Sequence, residues 1–301
     1  MIYNNVSTVL PDVLVEHKIS FAAENAELSI YDTYQYAEGV GLQSDQLMFC
    51  GMVSGKKIMH TPSESTSQPF LPHESFVLAP NKQVNIDFPD AQINEPTRCL
   101  AIEIAPTRIK AVEDQLNQSA PLQKELGEWS YRQDYLHTHH TTHTQQLLNR
   151  IVDIFTENHP DRGLMIDLAI TELSARLLRH QTREFIVGYC DIDPQKNALV
   201  AVTHQILTQL SEPLDIDALA RQACMCRTKF FEVFKQHFGC TPIVFQQQER
   251  LKKAAKLLTQ GKQVTETCFD VGFANASHFS AAFKRFYGVT PTQFKSKQGM
   301  N

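Results

Sequence analysis

The chain has 301 residues, with 28 Lys+Arg, 33 Asp+Glu and 42% hydrophobic residues, which suits about two globular domains of roughly 150 residues each and excludes intrinsic disorder. No run approaches the roughly 18 consecutive apolar residues of a membrane span, and the opening MIYNNVSTVLPDVLVEHK lacks the basic-then-apolar layout of a signal peptide, so the expected setting is the cytoplasm, with no membrane partner. The net charge of −5 conceals a split at Lys196: residues 196–301 carry 14 Lys+Arg and 7 Asp+Glu, a net of +7, whereas 1–195 carry 14 and 26, a net of −12.

Residues 26–105 are broken by Gly and Pro, with strand-like runs at LSIYDTY, LMFCGMV, SFVLAP, VNIDF and CLAIEI, and predict a small β-sandwich or barrel. From about 107 to 182 the pattern turns helical, because LLNRIVDIF and LMIDLAITELSARLL carry apolar residues at i, i+3, i+4 and i+7. One of these helices is a natural dimerisation surface; burial against the barrel is the alternative. The stretch HTHHTTHTQQ holds His137, His139, His140 and His143. His139 and His143 would share a helix face at i, i+4, where two imidazoles can chelate a metal. No carboxylate or Cys completes a ligand set at obvious spacing, so the stretch reads as a solvated helix start. REFIVGYCDIDPQK (183–196), with Asp193-Pro194, reads as a linker between an N-terminal domain at 1–182 and a basic one at 197–297.

A basic domain of this size suggests a polyanionic partner, since neutralised phosphates release counterions and supply affinity without sequence preference. Within it FFEVFKQHFGCTPIVF (230–245) recurs as FSAAFKRFYGVTPTQF (279–294) at a constant offset of 49 residues. Each copy reads as helix, stop and new helix: Phe at i and i+4 marks an apolar face, Gly ends it, and Thr-Pro supplies N-cap and N1. Upstream, DIDALARQA places an Asp215 cap before Ile216, Leu219, Ala220 and Ala223, and VTETCFDVG stands equivalently before the second copy. The predicted units are helix-turn-helix pairs at 216–237 and 264–287, in which the second helix can lie in a DNA major groove. Between them Pro242 to Gln260 reads as one amphipathic helix, with Val244, Leu251, Ala255 and Leu258 opposite Arg250, Lys252, Lys253 and Lys256. Its length of about 28 Å approaches the roughly 34 Å between successive major-groove openings on one DNA face.

Here the sequence resembles the AraC/XylS family of bacterial transcription regulators, over about 100 residues (roughly 197–297) and most densely in VGFANASHFSAAFKRFYGVTPTQF. The resemblance implies that Cys226 to His237 and Asn275 to Tyr287 enter the major groove. With Phe230 and Phe234 inward, the first reader then presents Arg227, Thr228, Phe231, Glu232 and Lys235. With Phe279 and Phe283 inward, the second presents Ala276, Ser277, His278, Ser280, Ala281, Lys284 and Arg285. By chemistry Arg227, Ser277 and His278 suit base edges, Phe231 a thymine methyl and Glu232 cytosine N4, while Lys235, Lys284 and Arg285 suit phosphates, as do the basic residues of the joining helix. Two positions depart from the family pattern: Thr267-Cys268 replaces an Ile-Ala pair, and Cys226 replaces the Ser that usually opens the first reader. Cys is a poor N-cap and weakens that helix start by roughly 1 kcal/mol.

The seven cysteines form no C-x-x-C pair or closely spaced framework, so reduced thiols filling core space are expected, and the spacing of Cys224, Cys226, Cys240 and Cys268 does not suit zinc. A redox-sensing role for Cys226 is the lesser alternative. Around HESFVLAPNKQVNI the β region also resembles the cupin-like effector domain that precedes the reader domain in many AraC-type regulators. Cupin enzymes cluster His and Glu around a metal; this region offers only His60 and His73. The sequence therefore predicts an α+β two-domain, non-enzymatic regulator, more often an activator, without metal or cofactor. Its N-terminal cupin-like sandwich or barrel carries dimerisation helices, and its C-terminal domain is all-α. Double-stranded DNA, a small-molecule effector or protein partner, a second copy of the chain and, by family, RNA polymerase are the implied partners. A cupin-type metal enzyme fused to a DNA-targeting domain is the alternative.

Overall fold

A computed structural model describes residues 11–62, 67–122, 124–190 and 198–298. The chain divides into two units, one of residues 1–109 and 132–172 and the other of 110–131 and 173–301.

Among the described residues the first unit is built on ten strands: β1 (His17–Ala22), β2 (Ala26–Thr33), β3 (Ala37–Gln43), β4 (Leu47–Ser54), β5 (Lys57–His60), β6 (Gln68–Phe70), β7 (Glu74–Leu78), β8 (Gln83–Phe88), β9 (Thr97–Ile104) and β10 (Tyr135–His139). They pair into a six-stranded sheet ordered β1-β2-β9-β4-β7-β10 and a four-stranded sheet ordered β3-β8-β5-β6. Strand β8 shows why the sheets face each other: Val84, Ile86 and Phe88 are buried while Gln83 and Asn85 are exposed, the period-two pattern of a half-buried strand. Those three side chains share one core with Met48, Cys50, Phe76 and Leu78 of the other sheet. Strand β4 is buried on both faces, because α2 (Thr142–Thr156) packs on its outer side; a Cβ on Gly51 would lie 3.6 Å from Leu148.

All five strands expected from sequence are present. The other five were invisible to pattern: β3 is mostly exposed, β5 and β6 have 4 and 3 residues, and β1 is largely exposed. Strand β10 corrects two expectations. It interrupts the region that reads as helical from 107, because its backbone pairs with β7 from Tyr135↔Leu78 to His139↔Glu74, and long-range pairing overrides local preference. It also separates the histidines, since His137 and His139 lie in β10 whereas exposed His143 lies in α2, behind a Thr141 cap that accepts from Thr144 N. There is no shared helix face. His137 is instead held between Gln68 (2.9 Å) and Glu74 (3.0 Å).

The second unit is helical. It takes in α1 (Pro106–Ser119) from Lys110 onward and α3 (Arg162–Cys190) from Leu173 onward. Then follow α4 (Ala198–Thr208), α5 (Ile216–Gln222), α6 (Arg227–Phe238), α7 (Pro242–Thr259), α8 (Val264–Asp270), α9 (Ala276–Tyr287) and α10 (Pro291–Gln298). The stretch 183–196, expected as linker, is helix α3 through Cys190; 191–197, with Asp193-Pro194, fall outside the described residues. Helix continues because Leu178 and Ile186 keep the apolar spacing, and Ile186 is fully buried in the core of the first helix-turn-helix.

That core gathers Leu199, Val202 and Ile206 of α4, Leu219 and Ala220 of α5, Phe230, Phe234 and Phe238 of α6, and Phe245 of α7. A second core takes Leu251, Ala254 and Leu258 of the same α7, with Cys268 of α8 and Phe279 and Phe283 of α9. The inward stripe of α7 therefore runs through Pro242 and Phe245, and Val244, expected inward, is 40% exposed.

Candidate DNA interface

Asp215 accepts from Ala218 N at 2.9 Å and starts α5. The turn that ends α5 places Cys224 at φ 54, with Cys224 N bonded to Arg221 O and Met225 N to Ala220 O. The turn after α8 repeats this 48 residues on: Gly272 has φ 84, Gly272 N bonds Phe269 O, and Phe273 N bonds Cys268 O. Beyond the turns the offset is 49, so the second turn holds one more residue. Left-handed Gly239 (φ 71) and Gly288 (φ 77) stop α6 and α9, each donating to a lysine carbonyl four residues back. Thr241 and Pro242 then start α7, and Thr290 starts α10 by exchanging bonds with Gln293.

The second helices of the two units, α6 and α9, start differently. Asn275 caps α9, accepting from His278 N at 2.8 Å, whereas Cys226 has cap geometry but makes no side-chain cap bond, as a thiol in that place predicts. On α6, Arg227, Thr228, Glu232 and Lys235 are exposed and Phe231 is half-buried. These five residues and Thr241 line one open depression. On α9, Ala276, Ser277, His278, Ala281, Lys284 and Arg285 are exposed and Ser280 is half-buried, with the His278 ring 5.4 Å from that of Phe273. All twelve positions assigned from sequence thus sit on the accessible faces of two matched helices.

The joining helix departs from expectation. Arg250 donates to three backbone carbonyls, Leu210 (2.6 Å), Gly272 (2.8 Å) and Glu212 (2.9 Å), and burial holds its pKa below the ordinary value. It joins the segment between α4 and α5 to the turn after α8, so its guanidinium is engaged by backbone carbonyls. Lys252 is likewise engaged, by Glu184 at 2.8 Å and Glu249 at 3.1 Å. Lys253 and Lys256 are exposed. Helix periodicity places a cation on the polar side but does not reveal which carbonyls or carboxylates of other elements lie there.

Sequence reasoning also missed Asp217, whose carboxylate lies 3.2 Å from Nη1 of Arg227. Its only signal was an acidic residue in the first turn of α5. The expectation of buried cysteines holds for Cys50, Cys99 and Cys268, and Cys240 is half-buried, but Cys224 and Cys226 are exposed. They occupy the solvent-facing turn before α6, so they are not core-filling residues.

Two duplicated helix-turn-helix units on one joining helix, in a chain that also carries a β-sheet unit, define a protein with a double helix-turn-helix domain. The profile described as the AraC-type transcriptional regulator N-terminus matches residues 25–185, more than half of the chain, and one described as a helix-turn-helix domain matches 219–297. The chain belongs to the AraC/XylS family of transcriptional regulators. Among curated relatives, an uncharacterised HTH-type transcriptional regulator of Haemophilus influenzae is 29% identical over 198 residues, 60% of this chain and 65% of that protein. The HTH-type transcriptional regulator ArgR of Pseudomonas aeruginosa is 32% identical over 114 residues, 35% of this chain and 34% of that protein. The chain thus spans less than two thirds of the length of these relatives. Among solved structures, the DNA-binding domain of AdpA in complex with a target DNA is 27% identical with TM-score 0.32, covering 34% of this chain and 92% of that one. ToxT from Vibrio cholerae is 13% identical with TM-score 0.37, covering 91% and 98%.

Proposed function

We propose that the protein is a sequence-specific, double-stranded DNA-binding transcription regulator acting in the cytoplasm, with α6 and α9 as its major-groove readers. The observation that carries this reading is the duplication itself: two helices of 12 residues, matched in their stops and turns, keep every assigned position accessible on one face each. In this reading Arg227, Ser277 and His278 contact base edges, Phe231 and Glu232 contribute to selectivity, and Lys235, Lys284, Arg285, Lys253 and Lys256 meet phosphates. The family match favours this over a cupin-type metal enzyme.

The two-sheet unit is proposed as a cupin-like effector or dimerisation domain, corresponding to 1–182, and the reader domain to 197–297. Leu164 and Leu168, 63% and 60% exposed one turn apart on α3, support a helix-mediated homodimer. By family analogy an effector bound at the N-terminal half alters presentation of the readers to a promoter, and the outcome is activation through RNA polymerase.

Selection of bound sequences from a random duplex pool with the full-length protein at defined salt tests this reading. A motif with two blocks about one helical turn apart is expected. Failure of the folded protein to enrich any sequence would overturn it.

A further inference from the structure

Asp217, in the first turn of α5, accepts from a single nitrogen, Nη1 of Arg227, through Oδ1 at 3.2 Å and Oδ2 at 3.4 Å. Both side chains are about 60% exposed (59% and 61%). A pair this open contributes little to folding, and a carboxylate on a surface that meets a polyanion opposes binding. Its presence beside the reader therefore calls for a compensating role.

The guanidinium supplies one. It offers two edges able to make paired parallel hydrogen bonds, Nη1 with Nη2 and Nε with Nη2. Asp217 takes the Nη1 corner, and the Nε/Nη2 edge has no partner among the described residues. Arg227 is the first residue of α6, and the N-terminal residues of a recognition helix are those that meet base edges. Fixing one corner of a long, rotamer-rich side chain removes freedom that would otherwise be lost on binding. The duplication adds an independent observation. The counterparts of Asp217 and Arg227 in the second unit are Thr265 and Ala276, so the carboxylate at this position occurs in the unit whose reader opens with arginine, and neither stands at the matching positions of the other, where the first-turn acid is Glu266, one residue further on.

We propose that Asp217 is a positioning residue that presents Arg227 to read one guanine, with Nε and Nη2 donating to its O6 and N7. This rests on α6 being a DNA reader, and the test separates the two.

Full-length wild type, Arg227→Ala, Asp217→Ala, Asp217→Asn and the double Arg227→Ala/Asp217→Ala variant are compared by pool selection and by titration against duplexes varied at each motif position, with thermal melts to confirm folding. Arg227→Ala is expected to erase preference at one guanine. Asp217→Ala should lower the guanine-over-adenine preference at that same position about tenfold, leaving other positions and the salt slope unchanged. Asp217→Asn, whose amide oxygen still accepts from Nη1, should retain most of it, and the double variant should match Arg227→Ala. Substituting 7-deazaguanine there should abolish the difference between wild type and Asp217→Ala. Uniform loss or gain of affinity by Asp217→Ala with base preference intact would reduce Asp217 to a surface charge and overturn the proposal. If Arg227→Ala alters no position while variants on the remaining reader face do, the proposal falls and DNA reading stands; if wild type enriches nothing, both fall.

Discussion

Arg183 on α3 and Glu249 on α7 are joined by an ion pair of 2.5 Å, each side chain 10% exposed. The guanidinium also donates to Gln248 and lies 4.8 Å from the centre of the Phe245 ring. Removing Glu249 leaves the Arg183 guanidinium buried without a carboxylate partner, so Glu249→Ala should lower stability by about 3–5 kcal/mol, and Arg183→Ala by less, because Lys252 still pairs with Glu249 at 3.1 Å. The apolar double replacement Arg183→Met/Glu249→Leu should cost much less. Denaturant titration of the four proteins checks this, and a double-variant loss equal to the sum of the two single losses would show that the pair does not act as a unit.

Beside this pair, burial pushes the His180 imidazole down to about 4, with Glu184 opposing the shift and Lys252 and Arg183 reinforcing it. Between about pH 6.5 and pH 4 the unfolded chain takes up a proton that the folded one refuses, so this contribution is complete above pH 6.5 and is lost as pH falls through the window. The ring keeps 27% of its surface accessible, which limits the effect to about 1–2 kcal/mol. Wild type should therefore lose that much more stability than His180→Gln between about pH 7 and pH 4.5; parallel losses would remove His180 as the cause.

The two left-handed turns predict opposite responses. At Gly272 a Cβ would lie 2.4 Å from the carbonyl oxygen of Ser211, and the positive φ adds roughly 1–2 kcal/mol for any L side chain, so Gly272→Ala should destabilise by more than about 2 kcal/mol. Cys224→Gly relieves the same backbone penalty and should be neutral or stabilising by about 1 kcal/mol. Thermal melts of both variants decide it.

Cys226→Ser places a hydroxyl where α6 has no side-chain cap bond. It should raise stability by about 0.5–1 kcal/mol. An unchanged melt would show that the open α6 terminus is already satisfied by water.

For DNA, His278→Ala is expected to relax selectivity at one position by roughly 1–3 kcal/mol, while Lys284→Ala weakens all sequences alike and reduces the salt slope by about 1. On α7, Lys253→Ala should reduce the slope, Lys252→Ala should leave it largely unchanged because Glu184 and Glu249 hold that ammonium, and Arg250→Ala should appear as lost thermal stability. Salt-dependent titrations separate the three; a slope change in Arg250→Ala without loss of stability would restore it to the phosphate-binding set.

How much of this was legible follows from what each residue depends on. The reader faces could be read because Phe230/Phe234 and Phe279/Phe283 repeat at helical spacing beside Gly and Thr-Pro stops, signals carried within a dozen residues. Arg250, Lys252 and Asp217 could not, since their partners Leu210, Glu184 and Arg227 lie 10 to 68 residues away. Strand β10 was hidden for the same reason, its identity being set by the β7 backbone. Helix α3 runs past the expected boundary: Asp193-Pro194 and a change of charge stand out in the sequence more than buried Ile186, which carries the helix onward.

Helix α7 gives Phe245 to one core and Leu251, Ala254 and Leu258 to the other. The angular phase between α6 and α9 is therefore stored in the pitch of that helix. A single residue inserted at its middle would turn one core-facing stripe by about 100° against the other and lengthen the helix by about 1.5 Å. Within α7 the distance between the two cores and their relative rotation are thus locked to each other.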